Sequence, residues 1–111
     1  LPGSTFLEKN GTFTNAERRI QPVRKVMSPA NGLEDWEVTQ ALANALGAGW
    51  SYTHPKEILA EIARLTGSFA GVSWEMLDQR GSVQWPVNEK HPDGSPVMHI
   101  EGFVRGKGLS W

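Results

Sequence analysis

Three helices mixed with short strands, an α/β arrangement, is the fold class predicted for this 111-residue sequence. Apolar residues recur at helical spacing twice, at Val38, Leu42, Ala45 and Leu46 and again at Ile58, Leu59, Ile62 and Leu65. Ser73 stands as an N-cap ahead of a third, shorter helical stretch. Around these lie segments of β-branched residues bounded by Gly, Pro and Asn, which read as extended or turning chain.

Taken in order, residues 1–7 read as loop and the tail of a strand. The stretch Glu8-Lys9-Asn10-Gly11-Thr12-Phe13-Thr14-Asn15-Ala16-Glu17-Arg18-Arg19-Ile20-Gln21 then gathers acids, cations, amides and hydroxyls. It is poor as helix and poor as core. Gly11, in an Asn-Gly pair, suits a tight turn with positive φ, so the segment reads as a turn feeding a short strand. Residues 18–26 set β-branched side chains among cations with Pro22 inside, and proline cannot donate to a ladder, so an edge strand is expected. Ser28-Pro29-Ala30-Asn31-Gly32 is a turn cluster. A helix over 35–46 follows, with Glu34, Asp35 and Glu37 at the positive end of its dipole and Gly47 to close it. Residues 48–53 form a connector in which Trp50 and Tyr52 pack. The second helix, 55–65, has Pro55 in its first turn, Glu57 close behind and Thr66-Gly67 as its stop. Its Ile58, Leu59 and Ile62 are expected to share one core with Leu42 and Leu46. The third helix, 74–79, stops at Gly81. Residues 82–87 read as irregular, Pro92-Asp93-Gly94 as a tight turn, 97–100 as a short strand and 102–108 as a loop.

The bulk numbers narrow the function classes. The length fits one domain or a piece of one. Apolar content of 39% allows a modest core, and a net charge of −1 makes no electrostatic case for nucleic acid or membrane as a partner. No apolar run is long enough to span a bilayer, and no signal-peptide pattern is visible. The absence of cysteine excludes disulfides, thiolate metal sites and iron–sulfur ligation within this chain. His54, His91 and His99 are scattered without an i, i+4 pair or an acid at ligand spacing, so none is a candidate metal ligand, and His54 before Pro55 reads as a turn residue. Asn10-Gly11-Thr12 fits a glycosylation sequon that carries no weight without secretion. Arg18, Arg19, Arg24 and Lys25 could form a nucleic-acid patch, but Pro22 and the balancing acids argue against it. Asn15, Glu17, Arg18 and Arg19 are better read as a structural network, with Glu17 paired to an arginine. Trp36, Trp74 and Trp85 are packing anchors by default.

The segment from Glu8 to Gln21 resembles the E-K-x-G-T-x-T-N-x-E-R-R-x-Q stretch of the molybdopterin oxidoreductases, which there follows an Ala-Asp-Val-Val-Leu-Pro strand whose last residues match Leu1-Pro2. Asp35-Trp36-Glu37, Gln84-Trp85-Pro86 and Gly102-Phe103-Val104-Arg105-Gly106-Lys107-Gly108 look most like the alpha subunit of NAD-dependent formate dehydrogenases. The resemblance covers essentially the whole chain. It implies the C-terminal part of a Rossmann-like molybdopterin-binding domain, running into the connection to a β-barrel domain. With no initiator Met and both ends inside continuing elements, residues 1–111 are expected to be one fragment of a larger cytoplasmic subunit.

The resemblance further implies a parent that oxidises formate to CO2 at a molybdenum or tungsten bis-molybdopterin guanine dinucleotide centre, with iron–sulfur clusters and NAD bound elsewhere in the complex. Its implied partners are the remaining domains of the alpha subunit and the other formate dehydrogenase subunits. No catalytic residue is expected here. Two residues are implied to hold the cofactor. Lys9 matches a lysine that, in the periplasmic nitrate reductase branch, contacts the guanine dinucleotide, where an ammonium makes charge-assisted bonds to phosphate or a guanine carbonyl. Asp35 matches an aspartate that contacts the guanine, whose N1–H and exocyclic amine a carboxylate can accept together. Without the resemblance, Lys9 would be an ordinary surface lysine and Asp35 a helix N-terminal acid. A fragment of another molybdopterin oxidoreductase, such as a nitrate reductase, and a non-catalytic interaction domain remain the alternatives.

Overall fold

The computed structural model describes residues 3–98. A 3-10 turn at Phe6–Glu8 leads into strands β1 (Gly11–Thr14) and β2 (Arg19–Val23), then helices α1 (Asp35–Ala45) and α2 (Pro55–Leu65). A second 3-10 turn at Gly67–Phe69, helix α3 (Trp74–Arg80) and strand β3 (Val83–Gln84) complete the order. The strands form an antiparallel sheet in the order β1-β2-β3. Residues 3–98 are therefore α/β, with three helices and a small sheet.

The helix ends follow the local chemistry. His54 Nδ1 accepts the Lys56 N–H at 3.1 Å, and the Glu57 carboxylate accepts from the Thr53 and His54 amides at 2.7 and 3.3 Å, with Pro55 needing no partner in the first turn. His54, read as a turn residue, is thus the cap of α2, and its ring also stacks edge-on against Trp74 at 5.1 Å. Ser73 Oγ accepts the Met76 N–H at 3.1 Å to open α3, and Gly81 at φ 76° closes it with a bond to the Leu77 carbonyl.

The core gathers at the sheet and the C-terminal helices. Ile20, Leu59, Val72, Leu77, Val83 and Val87 are buried together, with Phe69, Trp74, Met76 and Trp85 packed against them. Gly94 lets the chain return beside this cluster. A Cβ there would fall 2.6 Å from the Gln84 carbonyl oxygen, at the close approach where Ser95 N–H bonds that same oxygen at 2.9 Å.

Several sequence expectations change here. Residues 15–18 make the turn, because Gly11 opens β1 and the left-handed residue is Arg18, at φ 62°. β2 is the central strand and not an edge. Pro22 is tolerated because β3 pairs with Arg19 and Ile20 and stops short of it, so among the described residues β2 has a neighbour on one side at the proline. Residues 83–84, read as irregular, form β3, and Val97 and Met98 form a bend where a strand was expected. His99, Ile100 and the 102–108 loop lie outside the described residues.

The shared core of α1 and α2 is also corrected. Leu59 is buried, but Ile62 is 40% exposed, Leu42 53% and Leu46 82%, and α1 buries no residue. The reason lies on the opposite side of α1. Gln40 exchanges hydrogen bonds with the Tyr52 backbone at 2.8 and 3.1 Å, and Asn44 does the same with Trp50 at 2.6 and 2.8 Å. These amides clamp the connector along one face. Two residues further on is about 200° around a helix, which turns Leu42 and Leu46 outward.

Candidate functional site

Lys9 and Asp35 lie 26 positions apart in sequence and meet as an ion pair. The Lys9 loop and the start of α1 are brought together by a set of short polar contacts. Ser4 N–H donates to Asp35 Oδ1 at 2.7 Å, and the Asp35 N–H donates to Ser4 Oγ at 3.1 Å. Lys9 Nζ also donates to the Ser4 carbonyl at 3.4 Å and lies 5.8 Å from the centre of the Phe13 ring. The Glu8 carboxylate bonds the Thr5 and Ala30 amides at 2.8 and 3.2 Å, pinning the loop to the turn before α1.

Behind this pair sits Glu34, the charged residue that is buried among the described residues, 7% exposed. Its carboxylate accepts from Asn10 N–H at 3.1 Å, Trp36 Nε1 at 3.0 Å and Lys25 Nζ at 3.1 Å. Asn10 is tied in turn through its Oδ1 to the Lys25 N–H at 3.1 Å. Glu37 closes back on the Glu34 N–H at 2.8 Å, which starts the helix at Asp35. Burial pushes the Glu34 carboxyl upward, but the Asn10, Trp36 and Lys25 donors outweigh it and hold it below its ordinary value. The Lys9 ammonium, followed by the Ser4 N–H, likewise holds Asp35 below the ordinary carboxylate range. Both acids are ionised at neutral pH.

The donor set fits a guanine end-group. Asp35 is 42% exposed, and a carboxylate that offers about four acceptor positions keeps room beyond its Lys9 and Ser4 donors for an N–H of a guanine edge. Lys9 has given two of its three N–H groups to Asp35 and Ser4, which leaves one for a phosphate or carbonyl oxygen.

Asn15, Glu17, Arg18 and Arg19 build the fold. Asn15 Oδ1 accepts the Glu17 and Arg19 amides at 2.9 Å each, fixing the β1–β2 turn. The Arg18 guanidinium donates to the carbonyls of Trp85, Ser95 (3.2 Å) and Pro96 (2.9 Å), and the Trp85 N–H returns to the Arg18 carbonyl at 2.9 Å. Glu17 pairs with Arg19 at 3.4 Å in the open, where such a contact contributes at most about 1 kcal/mol. The anchor of this turn is therefore Asn15 and Arg18 more than the ion pair. A groove of about 400 Å³ between α2 and the start of α3, lined by residues such as Ala60, Ala63, Val72 and Trp74, shares no residue with the Lys9–Asp35 corner.

Sequence reasoning named Lys9 and Asp35 and missed Ser4, Asn10 and Lys25 as their supports. It took Glu34 only as a dipole acid and Trp36 only as packing. An Asn-Gly pair beside the lysine and paired acids at the helix start were the available signals, but neither says that the inner acid turns toward Asn10.

Comparison with known proteins covers the same corner. The family model described as Molybdopterin oxidoreductase matches residues 1–45. Over 106 residues, 93% of this chain, the sequence is 53% identical to a protein named "Putative formate dehydrogenase" from Staphylococcus aureus strain bovine RF122 / ET3-1. Proteins of the same name from strains MRSA252 and USA300 are 52% and 50% identical over the same length. The chain spans about a tenth of these relatives, 10% of each. Among the described residues no helix is long and apolar enough to cross a membrane. The family match over the Lys9–Asp35 corner and the identity along almost the whole sequence place the chain in the molybdopterin oxidoreductase family.

Proposed function

We propose that this chain is a cofactor-holding segment of a formate dehydrogenase catalytic subunit, with Lys9 and Asp35 gripping the guanine end of a bis-molybdopterin guanine dinucleotide. The observation that carries this reading is the meeting of the two residues at one corner, with acceptor positions left on Asp35 and a donor left on Lys9. The identity to proteins named as formate dehydrogenases supports the substrate class. When bound, the cofactor supplies the molybdenum or tungsten centre at which formate gives up two electrons.

Everything this chain contributes is binding and orientation. Asp35 accepts from the Watson–Crick edge of the guanine. Lys9 keeps Asp35 ionised and aimed, and offers its remaining N–H to an oxygen of the nucleotide. Ser4 holds the carboxylate from its other side, so the acceptor is set before the ligand arrives. The Rossmann-like placement of the segment, its connection to a β-barrel domain, its contacts with other domains and subunits, and iron–sulfur and NAD sites elsewhere in a cytoplasmic complex belong to the same reading.

The test uses the full-length parent. Asp35→Ala should lower the molybdenum or tungsten content of the purified protein, and Asp35→Asn should lower it less, since one acceptor survives. Formate turnover per bound metal should stay near wild type in both, because the metal lies at the far end of the ligand. Unchanged metal content with turnover per metal lost would overturn the assignment.

A further inference from the structure

We propose that Glu34 is the positioning residue for guanine recognition, setting the geometry of the Lys9–Asp35 pair from behind without touching the ligand. The inference rests on the nucleotide-anchor reading above. Three observations carry it. Glu34 is buried, and its side chain spends its acceptors on three separate parts of the chain: Asn10 next to Lys9, Trp36 next to Asp35, and Lys25 after β2. Its carboxylate therefore ties the residue following Lys9 to the residue flanking Asp35. The Asn10 side chain repeats the link from the other direction by accepting the Lys25 N–H.

The geometry explains why one charged group suits this place. Trp36 Nε1, Asn10 N–H and Lys25 Nζ are all donors, and a carboxylate accepts without offering a donor of its own. A glutamine keeps one acceptor oxygen but turns an N–H2 toward three donors, and alanine leaves all three without that partner. Either change lets the Lys9 loop drift relative to the start of α1. A hydrogen bond to the guanine amine is sensitive to such drift, because it weakens steeply with angle. Loss of position at Glu34 should thus appear as lost discrimination for guanine, more than as lost affinity for phosphate.

The experiment measures binding of GDP and of IDP, which lacks the exocyclic amine, to the cofactor-free full-length parent. Wild type is expected to prefer GDP by about tenfold or more, the difference made by one hydrogen bond to a charged acceptor. Glu34→Ala should bring the two affinities to within about threefold, with Glu34→Gln between them and the affinity for IDP little changed. Lys25→Met, which removes one outer donor and leaves the carboxylate in place, covers the case in which Glu34→Ala does not fold, and should narrow the preference partially. Folded Glu34→Gln or Lys25→Met protein with the full wild-type preference for GDP would overturn the positioning role while leaving the nucleotide anchor intact. A wild-type protein that shows no preference for GDP would overturn the anchor reading and this inference with it.

Discussion

Around Ile20, Leu77 and Val87 the chain is held by side chains less than 2% exposed that pack carbon against carbon. Around Glu34 it is held by a buried carboxylate, an ion pair and a run of backbone N–H groups. The first region joins β2, β3, α2 and α3 and is indifferent to charge. The second joins the Lys9 loop to α1, a helix that buries no residue at all. An apolar core fixes shape but offers a ligand nothing directional. A polar corner is costly to build unless every group is paired, and it leaves acceptors and donors aimed outward. The family match over residues 1–45 falls on the corner and not on most of the core.

The largest effect should come from the core. Leu77→Ala removes a side chain that is 1% exposed, and should destabilise the folded chain by about 2–5 kcal/mol in chemical denaturation. The corner should answer more weakly and more locally. Glu34→Ala should cost about 1–3 kcal/mol, and hydrogen exchange should place the loosening at residues 3–10 and 34–37 while the amides around Leu77 keep their protection. A uniform loss of protection across both regions would show that they are not separable.

Acid should sharpen the contrast. Glu34 and Asp35 have folded pKa values below their ordinary ones, so the unfolded chain takes up protons first as the pH drops. Their contribution is whole well above about pH 4.3, the ordinary glutamate value, and is lost as pH falls from there toward the lower folded values. The corner should therefore loosen in mild acid before the core does, as followed by exchange or by Trp36 fluorescence. The smallest effect belongs to the exposed Arg64–Glu61 pair, where Arg64→Ala should change stability by no more than about 0.5 kcal/mol.

The helices were legible in the sequence because their ends are written locally. Pro55 with Glu57, and Ser73 with Gly81, each act within a turn of the residues they cap. Lys9 and Asp35 are singled out by resemblance alone, since nothing in their own surroundings in the sequence distinguishes them from a surface lysine and a helix-start acid, and their meeting as an ion pair has no local signal. What remained hidden depends on distant partners. β3 is two residues long, too short to show a period, yet it is what makes β2 central. The stripe of Ile58, Leu59, Ile62 and Leu65 predicts a buried face, but only Leu59 on α2 is buried, and Ile62 and Leu65 stay 40% and 72% exposed. Glu34 looks like any acid at a helix start until Asn10, 24 positions earlier, folds onto it.

The division of labour between corner and core is tested most directly by hydrogen exchange on the full-length parent with and without its cofactor. Amides at Ser4, Asn10 and Asp35 should gain protection when the cofactor is bound, while those of Leu59, Leu77 and Val83 stay unchanged. Protection gained equally in both regions, or gained only in the core, would contradict the assignment of the Lys9–Asp35 corner as the holding site.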